Sequence, residues 1–200
     1  MSILRTHKDE GETIDLTTNW QTFNFSEPIT KLRLLVTGDL SNSPIVEIKL
    51  NNSSSSFLLT ISQTFQINGH VTESVSFRRI LGNGGSISIY GARQREGVKI
   101  FTRKEYATFE EIEDDFEWKT FTFPKSVSKL QLYSVGFFSV QPVIEYKIKN
   151  VEGSFLIGFA DEINLYDHII DEVQYRFNSK FLDGNAYASI IGFAKREEGE

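Results

Sequence analysis

Trp20-Gln-Thr-Phe23-Asn-Phe25 recurs as Trp118-Lys-Thr-Phe121-Thr-Phe123, 98 positions later and in the same register. Within each hexapeptide Phe alternates with a polar residue, the period of a strand that shows one face to a core and the other to water. Sliding the whole chain by the same offset pairs residues 1–78 with 99–176 without a gap. About 22 of those pairs are identical, a self-similarity that marks a tandem duplication.

The identities extend well beyond the hexapeptide. They include Lys31/Lys129, Leu32/Leu130, Gly38/Gly136, Pro44/Pro142, Glu47/Glu145, Lys49/Lys147, Phe57/Phe155, His70/His168, Val75/Val173 and Arg78/Arg176. A three-residue insertion near 180 shifts the register, after which Ser88-Ile-Tyr-Gly91 meets Ser189-Ile-Ile-Gly192. The chain therefore reads as two homologous domains, 1–98 and 99–200, each of a size that must bury its own core.

Period-two alternation is frequent and helical period almost absent, so nearly every element reads as a strand. In the first copy the expected strands are 12–16, 20–25, 29–37, 44–51, 56–62, 64–68, 72–79 and 85–93. Ser26-Glu-Pro28, Asn51-Asn-Ser-Ser, Asn68-Gly69 and Gly82-Asn-Gly-Gly85 read as the turns between strands, the last as a hairpin tip. About eight short strands at this spacing predict an all-β fold of two tandem antiparallel β-sandwiches, jelly-roll-like. Leu32, Leu34 and Val36 face inward against Lys31 and Arg33; Val46, Ile48 and Leu50 face inward against Glu47 and Lys49, and the outward Glu, Lys and Arg positions kept in both copies predict cross-strand charge pairs.

The chain has 17 Phe among its 200 residues, enough aromatic bulk for two cores, and no Cys that could staple them. Net charge is −6. The second copy carries the excess, 18 acidic against 12 basic residues, where the first has 9 of each. That balance opposes nucleic-acid binding, which rests on cations neutralising phosphates. No apolar run predicts a membrane span, and the polar first 18 residues predict no secretory signal, hence synthesis in the cytoplasm.

Candidate contact residues are few. Trp20 and Trp118 share the parity of Thr22 and Thr120, so each puts a large aromatic on a polar face, available to stack on a sugar or to pack at the sandwich edge. Loops differ most between copies at 82–85 and 178–184, which points to Asn83, Asp183 and Asn185 as specificity positions. His70 and His168, at equivalent positions in the two copies, follow a turn and read as turn-stabilising; a histidine with no second His nearby and no Cys makes no zinc site. The run Glu110-Glu-Ile-Glu-Asp-Asp-Phe-Glu117 offers oxygen ligands for a hard cation but lacks the Asp-x-Asp-x-Asp-Gly loop, so it reads first as a solvated edge or an acidic docking surface and only second as a cation site. Asn51-Asn-Ser-Ser contains glycosylation acceptor sequences, read as a flexible turn. Nucleophile-elbow, His-Glu-x-x-His and phosphate-loop motifs are missing, so the expectation is no enzyme, no cofactor and no metal.

The complete duplication, the lack of Cys, and the short Asn/Ser/Gly turns in an Ile/Lys/Asn/Phe-rich sequence resemble the small tandem β-sandwich proteins of tailed-bacteriophage virions. That resemblance is of architecture and carries no motif. It implies a non-enzymatic structural protein of tail, baseplate or fibre, located in the virion. Its expected partners are other virion proteins, copies of itself, and, on a host surface, glycan. Two other functions fit the same residues: a carbohydrate-binding module reading cell-wall polysaccharide through the two tryptophans, and a cytosolic bacterial β-sandwich protein.

Overall fold

The computed structural model describes residues 10–93, 102–111, 116–136, 143–159, 161–178 and 186–195. The first copy contributes β1 (Glu10–Asp15), β2 (Gln21–Thr37), β3 (Ile45–Leu50), β4 (Phe57–Thr60), β5 (Thr64–Leu81) and β6 (Ser86–Ala92). The second contributes β7 (Thr102–Glu111), β8 (Lys119–Gly136), β9 (Ile144–Ile148), β10 (Phe155–Ile157), β11 (Glu162–Phe177) and β12 (Ala186–Lys195). Pairing runs β1-β6-β2-β5-β3-β4 in the first copy and β7-β12-β8-β11-β9-β10 in the second, which is the same order twice. The fold is all-β, with two antiparallel sheets forming a sandwich. A single parallel pairing, His70 with Thr102, links the sheets along β5 and β7.

Among the described residues six strands per copy replace the eight expected from sequence because two of the turns are bulges. Residues 20–25 and 29–37 belong to one strand, and so do 64–68 and 72–79. The β2–β5 ladder runs to Asn24 opposite Ser74, then resumes at Ile29 opposite Thr72 and Lys31 opposite Asn68. Pro28 has no N–H to give a ladder, and Gly69 takes φ 76°, so both strands accommodate extra residues without reversing. The second copy bulges at the same place, between Tyr166 and Glu172 of β11.

These bulges fold each sheet over itself. Beyond them β2 pairs with β6, and before them the facing part of β5 pairs with β3. Leu32, Leu34 and Val36 from one arm and Val46, Ile48 and Leu50 from the other consequently share one core. The loop 82–85 carries the chain from β5 to β6, which are not neighbours in the sheet, so it crosses between arms and is not a hairpin tip.

Gly91 and Gly192 let the arms close. A Cβ built on Gly91 would lie 2.3 Å from Phe25 Cε1 and 2.7 Å from Ile29 Cδ1; on Gly192 it would lie 2.6 Å from Phe123 Cε1. Phe25 and Phe123 are buried and braced edge-on by Phe23 and Phe121 at 5.0 and 4.9 Å, so neither ring has room to retreat. Gly91→Ala is therefore expected to destabilise the fold by about 1–3 kcal/mol through overpacking. A urea unfolding midpoint unchanged from wild type would contradict that packing.

Candidate functional site: repeated tryptophan clusters and the seam between copies

Each copy builds the same cluster on its outer face. Antiparallel register sets Arg78 of β5 opposite Glu47 of β3, and Arg176 of β11 opposite Glu145 of β9. Side chains directly opposite in a ladder lie within reach of one another. Arg78 Nε and Nη2 each approach Glu47 Oε2 at 2.7 Å, and the Ser56 hydroxyl donates to Oε1 at 2.7 Å. In the second copy Arg176 does the same to Glu145 at 2.7 and 2.6 Å, and Ser154 donates at 2.5 Å. Asn178 adds a bond from Nδ2 at 3.3 Å that the first copy lacks.

The tryptophans complete the clusters. Lys49 Nζ lies 4.7 Å and Arg78 Cζ 4.8 Å from the Trp20 ring centre; Lys147 and Arg176 lie 4.1 and 4.6 Å from that of Trp118. Five residues, Trp, Glu, Lys, Ser and Arg, thus recur with unchanged identity and contacts. The aromatic is a plate under two cations, an arrangement worth about 0.5–1 kcal/mol per exposed contact. Trp20 is 38% exposed. A sugar stacking on it competes with Lys49 and Arg78 for the ring.

Alternation places Glu47 and Glu145 outward, but they are only 6% and 8% exposed. The Arg and Ser donors on each carboxylate explain the discrepancy, since a carboxylate can be buried where donors replace water. The Ser154 hydroxyl holds the Glu145 carboxyl below its ordinary value; burial pulls the other way, and Arg176 and Lys147 add to the lowering. A depressed folded-state value means stability that is present above the unfolded glutamate range and lost as pH falls through the folded value. Glu145→Gln is accordingly expected to be less stable than wild type at pH 7 by about 1 kcal/mol. The gap should close below the ordinary glutamate range. A gap independent of pH would show that the charge is not what matters.

The other expected sites fall differently. Asn83 is exposed at the tip of the crossing loop, where its N–H donates to the Asn42 carbonyl at 3.2 Å. Asp183 and Asn185 lie outside the described residues, as does 112–115 of the acidic run. In that run Glu110 pairs with Lys119 at 2.9 Å and accepts from the Tyr175 hydroxyl, and no group of three metal-binding side chains occurs among the described residues. Asn51 is a bracket more than a flexible turn: its amide donates to the Val71 carbonyl at 2.9 Å and accepts from the Glu73 N–H at 2.8 Å, pinning the β3–β4 turn to the bulge of β5.

His70 is not a turn residue. It is fully buried, with Nε2 3.2 Å from Glu105 Oε2 and its ring edge-on to Phe193 at 4.9 Å. Because β5 continues through Gly69, His70 faces the second copy. The side chain of its counterpart His168 lies outside the described residues.

A join at 94–108 without a Pro- or Ser-rich spacer predicts close packing of the copies, and the residues that make this seam are what sequence reading missed. Tyr133, Val135, Tyr187, Ile191 and Phe193 of the second copy belong to the buried cluster of the first. Buried polar groups bridge the copies: the Ser189 hydroxyl accepts from Leu58 N at 2.7 Å and donates to Leu58 O at 2.9 Å. The Gln63 amide donates to Ser134 O at 2.9 Å, the Gln131 amide donates to Gln66 O at 2.7 Å, and Lys129 donates to Asn68 O. Burial also raises the Glu162 carboxyl above its ordinary value. A signal was available, because β12 reads Ala-Tyr-Ala-Ser-Ile-Ile-Gly-Phe-Ala, apolar on both parities, as a strand covered on both faces does.

No protein-family model matches the chain, and no curated protein matches it. Among solved structures it is similar to the major capsid protein P2 from bacteriophage PM2, at 10% identity and a TM-score of 0.42 over 95% of this chain and 99% of that one. A turret protein of Sulfolobus turreted icosahedral virus is similar at 10% identity and TM-score 0.35, over 94% and 99%. A conserved protein of unknown function from Pseudomonas aeruginosa PAO1 is similar at 12% and 0.39, over 94% and 80%.

Proposed function

We propose that the chain is a non-enzymatic structural protein of a bacteriophage virion, in tail or baseplate, that acts by joining proteins during assembly. The seam supports this reading: one sheet face recognises another through an apolar patch keyed by Ser189, Gln63 and Gln131. Sheet-on-sheet docking of this kind is how a structural protein works, and it requires no reacting group. Particles purified from a lysate of the infected or induced host, analysed by peptide mass spectrometry, test the proposal. Recovery of the chain in a fixed ratio to known particle proteins supports it. Recovery only in the particle-free soluble fraction refutes it.

A carbohydrate-binding module is the second reading, favoured by the half-open Trp20 cluster and its copy at Trp118. Retention on cell-wall polysaccharide that is lost in the Trp20→Ala/Trp118→Ala double variant, with melting unchanged, would establish it over the first.

A further inference from the structure

The seam between the copies is one-sided. In a reciprocal interface, a contact from position i of one copy to position j of the other is matched by one from j to i. Here Leu58 of the first copy meets Ser189 of the second, whereas their counterparts Leu156 and Ser88 do not meet: Leu156 is 62% exposed and the Ser88 hydroxyl bonds Thr13 within its own copy. Likewise Tyr133, Val135, Tyr187, Ile191 and Phe193 enter the first copy's core, while Leu35, Thr37, Ser86, Tyr90 and Ala92 do not enter the second's. The seam is head-to-tail, so each chain retains one face of each kind.

Both remaining faces keep some of the parts that make the seam. On the second copy, Leu156 stands where Leu58 does and presents the same segment of edge strand β10 that β4 presents in the first. On the first copy, Ser88 stands where Ser189 does, and exposed Lys31 where Lys129 does. Four of the eight large exposed apolar side chains among the described residues fall on these faces: Leu156 and Tyr166 on one, Leu40 and Tyr90 on the other. Leu40 lines a pocket of about 360 Å³ with Leu35, Thr37 and Ile61. By the geometry of the existing seam, this pocket lies where the turn after β10 would enter. Exposed apolar groups clustered in this way mark interaction surfaces.

We infer that the β10 face of one chain docks on the β2–β6 face of a second copy of the same chain, by the contacts that already join the two halves. Leu156 takes the place of Leu58 against Ser88, and Lys31 donates to the Tyr166 carbonyl as Lys129 does to that of Asn68. Head-to-tail docking of this kind adds chain to chain until it closes on itself or extends as a filament. The docking between chains is weaker than the seam within them, because Thr37, Ser86 and Ala92 stand where the seam has Val135, Tyr187 and Phe193, and Asp161 and Arg33 where it has Gln63 and Gln131. The assembly therefore forms reversibly with concentration.

Light scattering and sedimentation of the purified full chain from about 1 to 100 µM test the inference at the span where interfaces of this class associate. Wild type is expected to pass from monomer to species larger than a dimer. Leu156→Asp, on the β10 face, and Leu40→Asp/Tyr90→Asp, on the other, should each stay monomeric over that range with the wild-type circular dichroism spectrum and melting. Mixed one to one, they retain one good face each and should form a species of twice 22.9 kDa and nothing larger. Wild type monomeric at 100 µM overturns the inference, as does either variant assembling like wild type, or a mixture that stays monomeric. This goes beyond the proposed virion role and fails separately from it: a monomeric chain found in purified particles removes the self-docking alone, and a self-associating chain absent from them removes the virion role alone.

Discussion

Phe193→Ala is expected to lower the unfolding free energy by about 3–5 kcal/mol, the range for removing a fully buried aromatic. Phe193 sits on β12 of the second copy, yet its ring packs into the first, 6.2 Å from Phe65 and 4.9 Å from His70 between centroids, with no exposed surface. Truncation leaves a hole bounded by rigid strands of both sheets, which cannot collapse into it as a loop would. Alanine is also the residue found at the equivalent position of the first copy, Ala92, where no second domain is packed. The substitution thus makes the docked face resemble the undocked one without offending the strand itself. Wild type should unfold in a single denaturant transition because the copies share a core. The variant should show an earlier transition for the loosened seam. A loss under about 1 kcal/mol would mean that the ring is not packed between the copies.

Ser189→Ala should cost about 2–4 kcal/mol although it deletes one oxygen. The Ser189 hydroxyl satisfies both Leu58 N and Leu58 O, two backbone groups that point from edge strand β4 toward the second copy and that are sealed from water, Leu58 being fully buried. Each polar group left without a partner costs about 1–3 kcal/mol. Ser88→Ala provides the control: the same residue at the equivalent position bonds only Thr13 on an exposed surface, and its loss should stay within about 0.5 kcal/mol. Equal effects of the two substitutions in equilibrium unfolding would show that the hydroxyl at 189 has no special burden.

The sequence carried the local half of this structure. Repetition of Trp20–Phe25 at Trp118–Phe123 announced two copies, and alternation assigned Leu32, Leu34, Val36, Val46, Ile48 and Leu50 to the core, where all six lie. Charges kept at fixed outward positions in both copies called for cross-strand pairs, and the register supplied the partners, Glu47 with Arg78 and Glu145 with Arg176. Such features are legible because a strand's period and the charge on its outer face are written in consecutive residues.

Whether Asn68-Gly69 and residues 26–28 turn or bulge depends on what each strand finds opposite it, in segments about 40 residues away, and that no local pattern records. The burial of Glu47 required two donor side chains from separate stretches. The seam required more: Ser189 and Leu58 lie 131 residues apart, and two copies with the same pattern can pack in reciprocal or head-to-tail fashion at equal cost to their local sequence. By itself the sequence determined that one sandwich is written twice and which side chains fill it. Only the tertiary structure decided that the β8–β12 face of the second copy is covered and the equivalent β2–β6 face of the first left exposed, because the order in which one fold docks on another is set by surface complementarity between residues that are never neighbours in the chain.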